Sequence, residues 1–411
     1  MEIVIKCDNK INPAAADRDD VWFSAEVSGG IADGFVFSIS KAGRVIYKKE
    51  IKSGFFPVLR PDIAFSENTR YHYEAIAYLG KNEVARSSGE FVTAFTPRKA
   101  KWVEAKTDDD FALVFSETFE VKKKEETYRA FICGLGFYDA YLNGAKVTDG
   151  YFLPLVSDYA ERKNTDNPLI FKSEGYRVCA NVYDVGNLIK DGSNRIEIVV
   201  GDGYYRNLDK TEEPFVSYGG KKAIFEIICG DGENTEIIAA SDESARVKKR
   251  NAKSSLFNGD FVDFTDGEEW KEEKCVLSNG KTGLFAFPAL GADKIIREIT
   301  PLKETREEGR IIYDFGYNHS GAPRFKVKGE KGKKLVLNFA ECLSENGELN
   351  PNTSLWSDYN EKLKTRHVIV QKSEYILSGG TDEIKPMFSW WCYRYLSAES
   401  DGNFEISGMK S

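Results

Sequence analysis

Between Tyr128 and Asn143 the apolar residues fall on every second position. Phe131, Cys133, Leu135 and Phe137 alternate with their neighbours, and Tyr138, Ala140 and Leu142 carry the alternation to Asn143-Gly144. A period of two sends successive side chains to opposite faces of a strand, whereas the apolar stripe of a helix returns every third or fourth residue. Asn-Gly between two such runs signals a hairpin, because both residues tolerate positive φ. Lys146-Val147 is therefore expected to fold straight back. Arg195-Ile-Glu-Ile-Val-Val200 repeats the pattern and runs into a polar and aromatic turn, Gly201-Asp-Gly-Tyr-Tyr-Arg-Asn207. Sustained helical periodicity is nearly absent elsewhere, so the chain is expected to be all-β, with an antiparallel sandwich core and decorated loops at one end.

At 411 residues the chain is too long for one core. Three consecutive β-sandwich or jelly-roll units are expected, over 1–97, 98–290 and 291–411. In the first, strands are expected over 21–25, 34–40, 44–49, 70–79 and 88–94, separated by turns such as Lys41-Ala-Gly43 and Gly80-Lys-Asn82. Tyr71, Tyr73, Ala75 and Ala77 resemble the strand before the last hairpin of a fibronectin-like domain, and Ala94-Phe-Thr-Pro-Arg98 reads as a linker. The second unit holds a long polar connection over 157–168, a length that tends to be functional or mobile. It also holds a short helical turn over 182–192 with Asp184 as N-cap. The third has alternating strands over 324–339 and an aromatic strand over 387–396.

A formal net charge of −8 without a basic stripe argues against a nucleic-acid partner. No apolar run reaches the length of a membrane span, and Met1-Glu-Ile-Val-Ile-Lys reads as a strand rather than a secretory leader, which points to the cytoplasm. Seven cysteines, at 7, 133, 179, 229, 275, 342 and 392, show no paired spacing, as buried free thiols would. The three histidines, His72, His319 and His367, supply a metal or nucleophile site poorly. Gly-x-Ser-x-Gly, P-loop and His-Glu-x-x-His motifs are missing.

Several short pieces follow one another in a telling order. Gly134-Leu-Gly-Phe-Tyr-Asp-Ala-Tyr-Leu-Asn-Gly144, Leu153-Pro-Leu-Val-Ser-Asp-Tyr159, Tyr183-Asp-Val-Gly-Asn-Leu-Ile-Lys-Asp-Gly-Ser-Asn194 and Gly201-Asp-Gly-Tyr-Tyr205 come first. Then come Phe257-Asn-Gly-Asp-Phe-Val-Asp263, Tyr313-Asp-Phe-Gly-Tyr-Asn318 with Gly321, Phe339-Ala-Glu341 and Trp390-Trp-Cys-Tyr-Arg-Tyr395. Over roughly 127–398 this order resembles the N-terminal β-domains of bacterial α-L-rhamnosidases, glycoside hydrolase family 78. The resemblance implies a jelly roll like a carbohydrate-binding module for the second unit and a concanavalin-like sandwich for the third.

It also implies that the chemistry lies elsewhere. These hydrolases invert, and their acid and base carboxylates sit on loops of an (α/α)6 barrel that follows the third β-domain, about 6.5–9.5 Å apart. Glu341 and Glu399 lie in strand-like sequence, and no catalytic residue carries over. The chain is thus expected to lack the barrel and to be inactive by itself. It would be the non-catalytic N-terminal region of an α-L-rhamnosidase-like hydrolase, with the catalytic domain or another subunit as partner. A free-standing carbohydrate-binding or assembly protein is the alternative.

In some members the unit matching 98–290 grips rhamnose with help from calcium, an ion that takes oxygen ligands from carboxylates, amides and sugar hydroxyls. Asp158, Tyr159, Asn164, Asp202, Tyr204, Tyr205 and Asn207 are accordingly candidates to contact a rhamnose-containing glycan, and Asp158, Asn207 and Asp209 to hold calcium. Alternatively, Asp158 and Asp202 fix turns while the tyrosines pack. A second patch is Asn318, Trp356, Trp390, Trp391, Tyr393 and Arg394, in a region that packs against the barrel in the resembled enzymes. A domain or subunit contact is favoured there over a sugar site, with adjacent Trp390 and Trp391 facing opposite ways.

Overall fold

The computed structural model describes residues 1–107, 110–122, 127–155, 157–162, 175–206, 217–256, 259–266, 271–278, 284–288, 290–353, 356–360 and 365–411. Among them every regular element is a strand, apart from one 3-10 turn at Pro351–Thr353. The hairpin forms where the alternation demands it. Tyr138–Leu142 turns through Asn143 and Gly144, at φ 53° and 82°, and returns as Ala145–Lys146. The Asn143 amide donates to Leu188 O (2.9 Å) and Asn194 Oδ1 (2.8 Å), which ties the turn to the next segment.

Three cores organise the chain. The first lies between the pair Glu2–Cys7 and Phe23–Ser28 and the sheet Arg44–Ile51, Gly34–Lys41, Arg70–Leu79, Asn82–Val92. Phe23 sits in its centre, edge-on to Tyr73 and Phe91 at 5.5 Å. The strand expected over 88–94 begins earlier, at Asn82, because it pairs along the whole of Arg70–Leu79.

The middle core is closed by two six-stranded sheets. One runs in the order Asn181–Asp184, Tyr128–Leu135, Lys222–Cys229, Val103–Glu104, Val276–Leu277, with Glu236–Ala240 beside Lys222–Cys229. The other contains Tyr138–Leu142, Gly192–Val200 and Leu113–Val121. Every residue of Tyr128–Leu135 is buried. Its even-numbered residues face the partner sheet, and Phe131, Cys133 and Leu135 face a second apolar layer that contains Ala94, Phe95, Trp102 and Tyr205. The expected linker over 94–98 therefore begins packed, at Ala94 and Phe95, and comes to the surface at Thr96 and Arg98. After the strand Asn181–Asp184 the chain makes a single helical turn capped by Asp184: Gly186 N donates to Asp184 Oδ1 (3.1 Å) and Ile189 N to Val185 O (3.2 Å).

The third core lies under the sheet Ala252–Ser255, Gly259–Asp263, Lys372–Ile376, Lys334–Ala340, Trp391–Ser400, Arg310–Gly321, Lys303–Glu307, opposite Thr381–Ile384, Arg324–Gly329 and Phe404–Lys410. Residues 252–263 come before position 290 in sequence yet join this sheet, with Gly259–Asp263 parallel to Lys372–Ile376. Gly259 permits the approach, since a Cβ there would lie 1.9 Å from Lys372 O. None of the seven cysteines is in a disulfide; Cys7, Cys133 and Cys275 are buried as expected, Cys179 and Cys229 half-buried, and Cys342 and Cys392 exposed.

Candidate functional site

Of the candidate sugar residues, Asp158, Tyr159, Asp202, Tyr204 and Tyr205 are described, and the fold brings Tyr159 and Tyr205 together. Asp202 is largely buried and spends its carboxylate on two buried cations, Lys221 Nζ at 2.9 Å and Arg206 Nη1 at 3.0 Å. Burial pushes its pKa up, and Lys221 and Arg206 pull it back. This is an internal ion cluster. Asp158 lies in the strand Asp158–Arg162, paired in register with Arg177 of Gly175–Cys179. Asn164, Asn207 and Asp209 lie outside the described residues. Among the described residues no group of three His, Cys, Asp or Glu side chains converges on a metal position.

Tyr204 and Tyr205 point away from each other. Tyr205 is buried, edge-on to Tyr159 at 5.1 Å and 6.0 Å from Tyr218, and its hydroxyl donates to Tyr218 O at 3.2 Å. Burial pushes the Tyr159 hydroxyl well up, against a hydrogen bond with Ser157. Tyr218, which the sequence did not single out, is 5.4 Å from Tyr159 and largely exposed. Tyr204 instead leans on Phe137 at 5.3 Å, towards the third sandwich.

In the second patch, two residues prove to be core. Trp391 packs on Phe339 (5.9 Å), and Tyr393 is fully buried against Phe315 and Phe339 with its hydroxyl on Ser411 Oγ (2.5 Å). Neither can present a ring to a partner, because an alternating strand must turn these positions inward. Arg394 remains at the surface and grips Asp314 with both arms, at 2.8 and 2.9 Å, which holds the Asp314 carboxyl below its usual range. Asn318 is exposed, and Trp356 lies in the strand Trp356–Asn360. Trp390 faces the other way from Trp391, as expected. It meets Phe152 at 4.4 Å and Phe137 at 6.4 Å, in a joint between the middle and third sandwiches.

Asp260 holds this joint in place. Its buried carboxylate accepts the Met387 amide at 2.9 Å and the Ser254 hydroxyl at 2.6 Å, which fixes the loop that carries Phe388 and Trp390. Glu399 accepts from the Ser397 hydroxyl at 2.7 Å and lines a polar groove of about 700 Å³ with Glu307, Glu308, Arg310, Lys334 and Asp401. Arg310 is held there by Glu307 and Glu348.

Two family models match. The α-L-rhamnosidase N-terminal domain covers residues 123–281, and the bacterial α-L-rhamnosidase concanavalin-like domain covers 304–405. An α-L-rhamnosidase of Formosa agariphila is 24% identical over 311 residues, which is 70% of this chain and 30% of that protein. One of Streptomyces avermitilis is 24% identical over 294 residues, 67% of this chain and 25% of that protein. The chain thus spans about a third or less of these relatives. Among solved structures, α-L-rhamnosidase from Dictyoglumus thermophilum superposes with a TM-score of 0.78 at 23% identity, covering 99% of this chain and 48% of that one. Streptomyces avermitilis α-L-rhamnosidase complexed with L-rhamnose gives 0.73 at 14% identity, covering 96% and 55%. At these identities the superpositions show a shared fold.

Proposed function

Because the chain belongs to the α-L-rhamnosidase family, carrying its N-terminal and concanavalin-like domains, we propose that it is a non-catalytic β-region of an α-L-rhamnosidase-like glycoside hydrolase. In this reading it supports a catalytic domain and binds rhamnosyl glycans. One observation carries the supporting role. The segment that joins the middle and third sandwiches leaves Leu290, Ile295, Ile296 and Leu302 exposed by 66, 61, 92 and 78%, with Tyr317 at 41% beside them. Large apolar side chains left this exposed within one short segment suit a surface that another domain covers. The strip is firmly held rather than loose: Ile299 and Ser411 exchange backbone hydrogen bonds at 2.8 and 2.9 Å, and Leu302 lies over Gly316, where a Cβ would come within 2.4 Å of it.

The test is turnover of an aryl α-L-rhamnopyranoside by this chain alone. We expect none, because the family models match only the N-terminal and concanavalin-like domains. Release of the aryl group above the blank would remove the non-catalytic reading.

A further inference from the structure

Tyr204 and Trp390, 186 positions apart by number, meet at the joint between the middle and third sandwiches. Phe137 lies between them, 5.3 Å from Tyr204 and 6.4 Å from Trp390. Phe152 is 4.4 Å from Trp390 and 5.7 Å from Phe137, and Tyr151 continues the row 6.2 Å beyond Phe152. Phe137 and Phe388 are buried and form the floor. Tyr151, Phe152 and Trp390 are half-buried, and Tyr204 is 41% exposed. A joint that only glued two sandwiches would bury its rings, whereas this one leaves a row of them part open.

The row is built tightly. Phe152 stands at φ +55°, a conformation that bulky residues rarely adopt and that persists only where the surroundings over-determine it. On the floor, a Cβ at Gly201 would lie 2.4 Å from Phe388, and one at Gly203 would lie 2.5 Å from the Phe137 amide nitrogen. The rim is polar. Asp293 accepts the Tyr151 amide on its carbonyl at 2.9 Å, and its carboxylate acts on the Tyr204 hydroxyl, whose pKa rises chiefly by burial and then by this charge. Across the row, Lys146 Nζ lies 4.2 Å over the Tyr151 ring and 2.9 Å from Asp139.

Part-exposed rings beside a carboxylate suit a pyranose, which offers a C–H face to the rings and hydroxyls to the rim. We propose that the seam lined by Tyr151, Phe152, Trp390 and Tyr204, with Asp293 on its rim, binds a 6-deoxyhexopyranoside. The sugar's methyl group and C–H face lie on the rings, and its hydroxyls donate to Asp293. The proposal rests on the reading that the chain binds rhamnosyl glycans, and it puts that binding at the seam instead of at a calcium-assisted loop.

Isothermal titration of the 411-residue chain with methyl α-L-rhamnopyranoside tests it, with and without EDTA, alongside Tyr204→Ser and Asp293→Asn. Both positions are solvent-exposed, and the melting curve of each variant verifies its fold. The expected result is binding that survives EDTA and weakens about tenfold or more in each variant. Binding unchanged in both variants, or abolished by EDTA, overturns the seam site while the glycan-binding reading stands. No heat from the unaltered chain overturns both.

Discussion

Glu117 shows how much one carboxyl can be set by its surroundings. It sits on Leu113–Val121, where Oε1 accepts the Ser244 hydroxyl at 3.2 Å and Oε2 is buried without a partner. Burial and the nearby Asp242 push its pKa up to about 7. The folded state therefore holds this proton more tightly than the unfolded chain, whose carboxyl titrates near 4.3. Stability should fall as pH rises from about 4.3 to about 7 and level off above that. Glu117→Gln should flatten this slope and raise the melting temperature at pH 8, as thermal unfolding across pH would show; an unchanged slope would mean that Glu117 ionises freely in the fold. Asp202 is also pushed up by burial, but it has cationic partners. Asp202→Asn would leave Lys221 and Arg206 facing each other without their shared carboxylate, at a cost of about 3 kcal/mol by denaturant unfolding. The sequence could name Asp202 but not its role, because nothing in Gly201-Asp-Gly reveals that the Lys221 side chain will be buried beside it.

At the scale of elements, strand positions were legible wherever one face met a core. Arg70–Leu79 falls where its alternation puts it, since a one-residue slip would turn Tyr71, Tyr73, Ala75 and Ala77 outward. What the alternation hides is the strand buried on both faces. In Lys222–Cys229, Ala223, Phe225 and Ile227 face the middle core while Ile224 and Ile228 face the outer layer, and Glu226 is fully buried among them. A glutamate inside so apolar a run was the available signal that something polar must meet it. Its partners are the amides of Arg98, Lys99 and Ala100, at 2.7–3.0 Å, so one carboxylate clamps the segment that leaves the first sandwich. Glu226→Ala removes the shared acceptor of three backbone donors and should cost about 1–3 kcal/mol. Proteolysis should then cut near residue 98 first; a variant as stable and as resistant as the parent would show that the clamp is idle.

Over the whole molecule, the three sandwiches hold one another through a few polar contacts and through shared apolar layers. Asn68 of the first reaches Gly230 O at 3.1 Å and Thr235 Oγ1 at 2.7 Å in the second, and the Phe388–Trp390 loop of the third enters the second beside Phe137. Pairwise alternation within each strand could not forecast these joints, nor that 252–263 would cross to the third sheet, because both depend on which sandwich edges meet. Against that background the strip at Leu290, Ile295, Ile296 and Leu302 stands out, since its side chains are turned away from all three cores. If it is a contact surface, it adds little to the stability of this chain and much to its stickiness. Ile296→Lys with Leu302→Lys should leave the melting temperature within a degree or two, as surface changes of under about 0.5 kcal/mol do. The same pair should sharply lower binding of a hydrophobic dye such as anilinonaphthalene sulfonate. A large drop in melting temperature would instead assign these side chains to holding the third sandwich together, and an undiminished dye signal would place the sticky surface elsewhere.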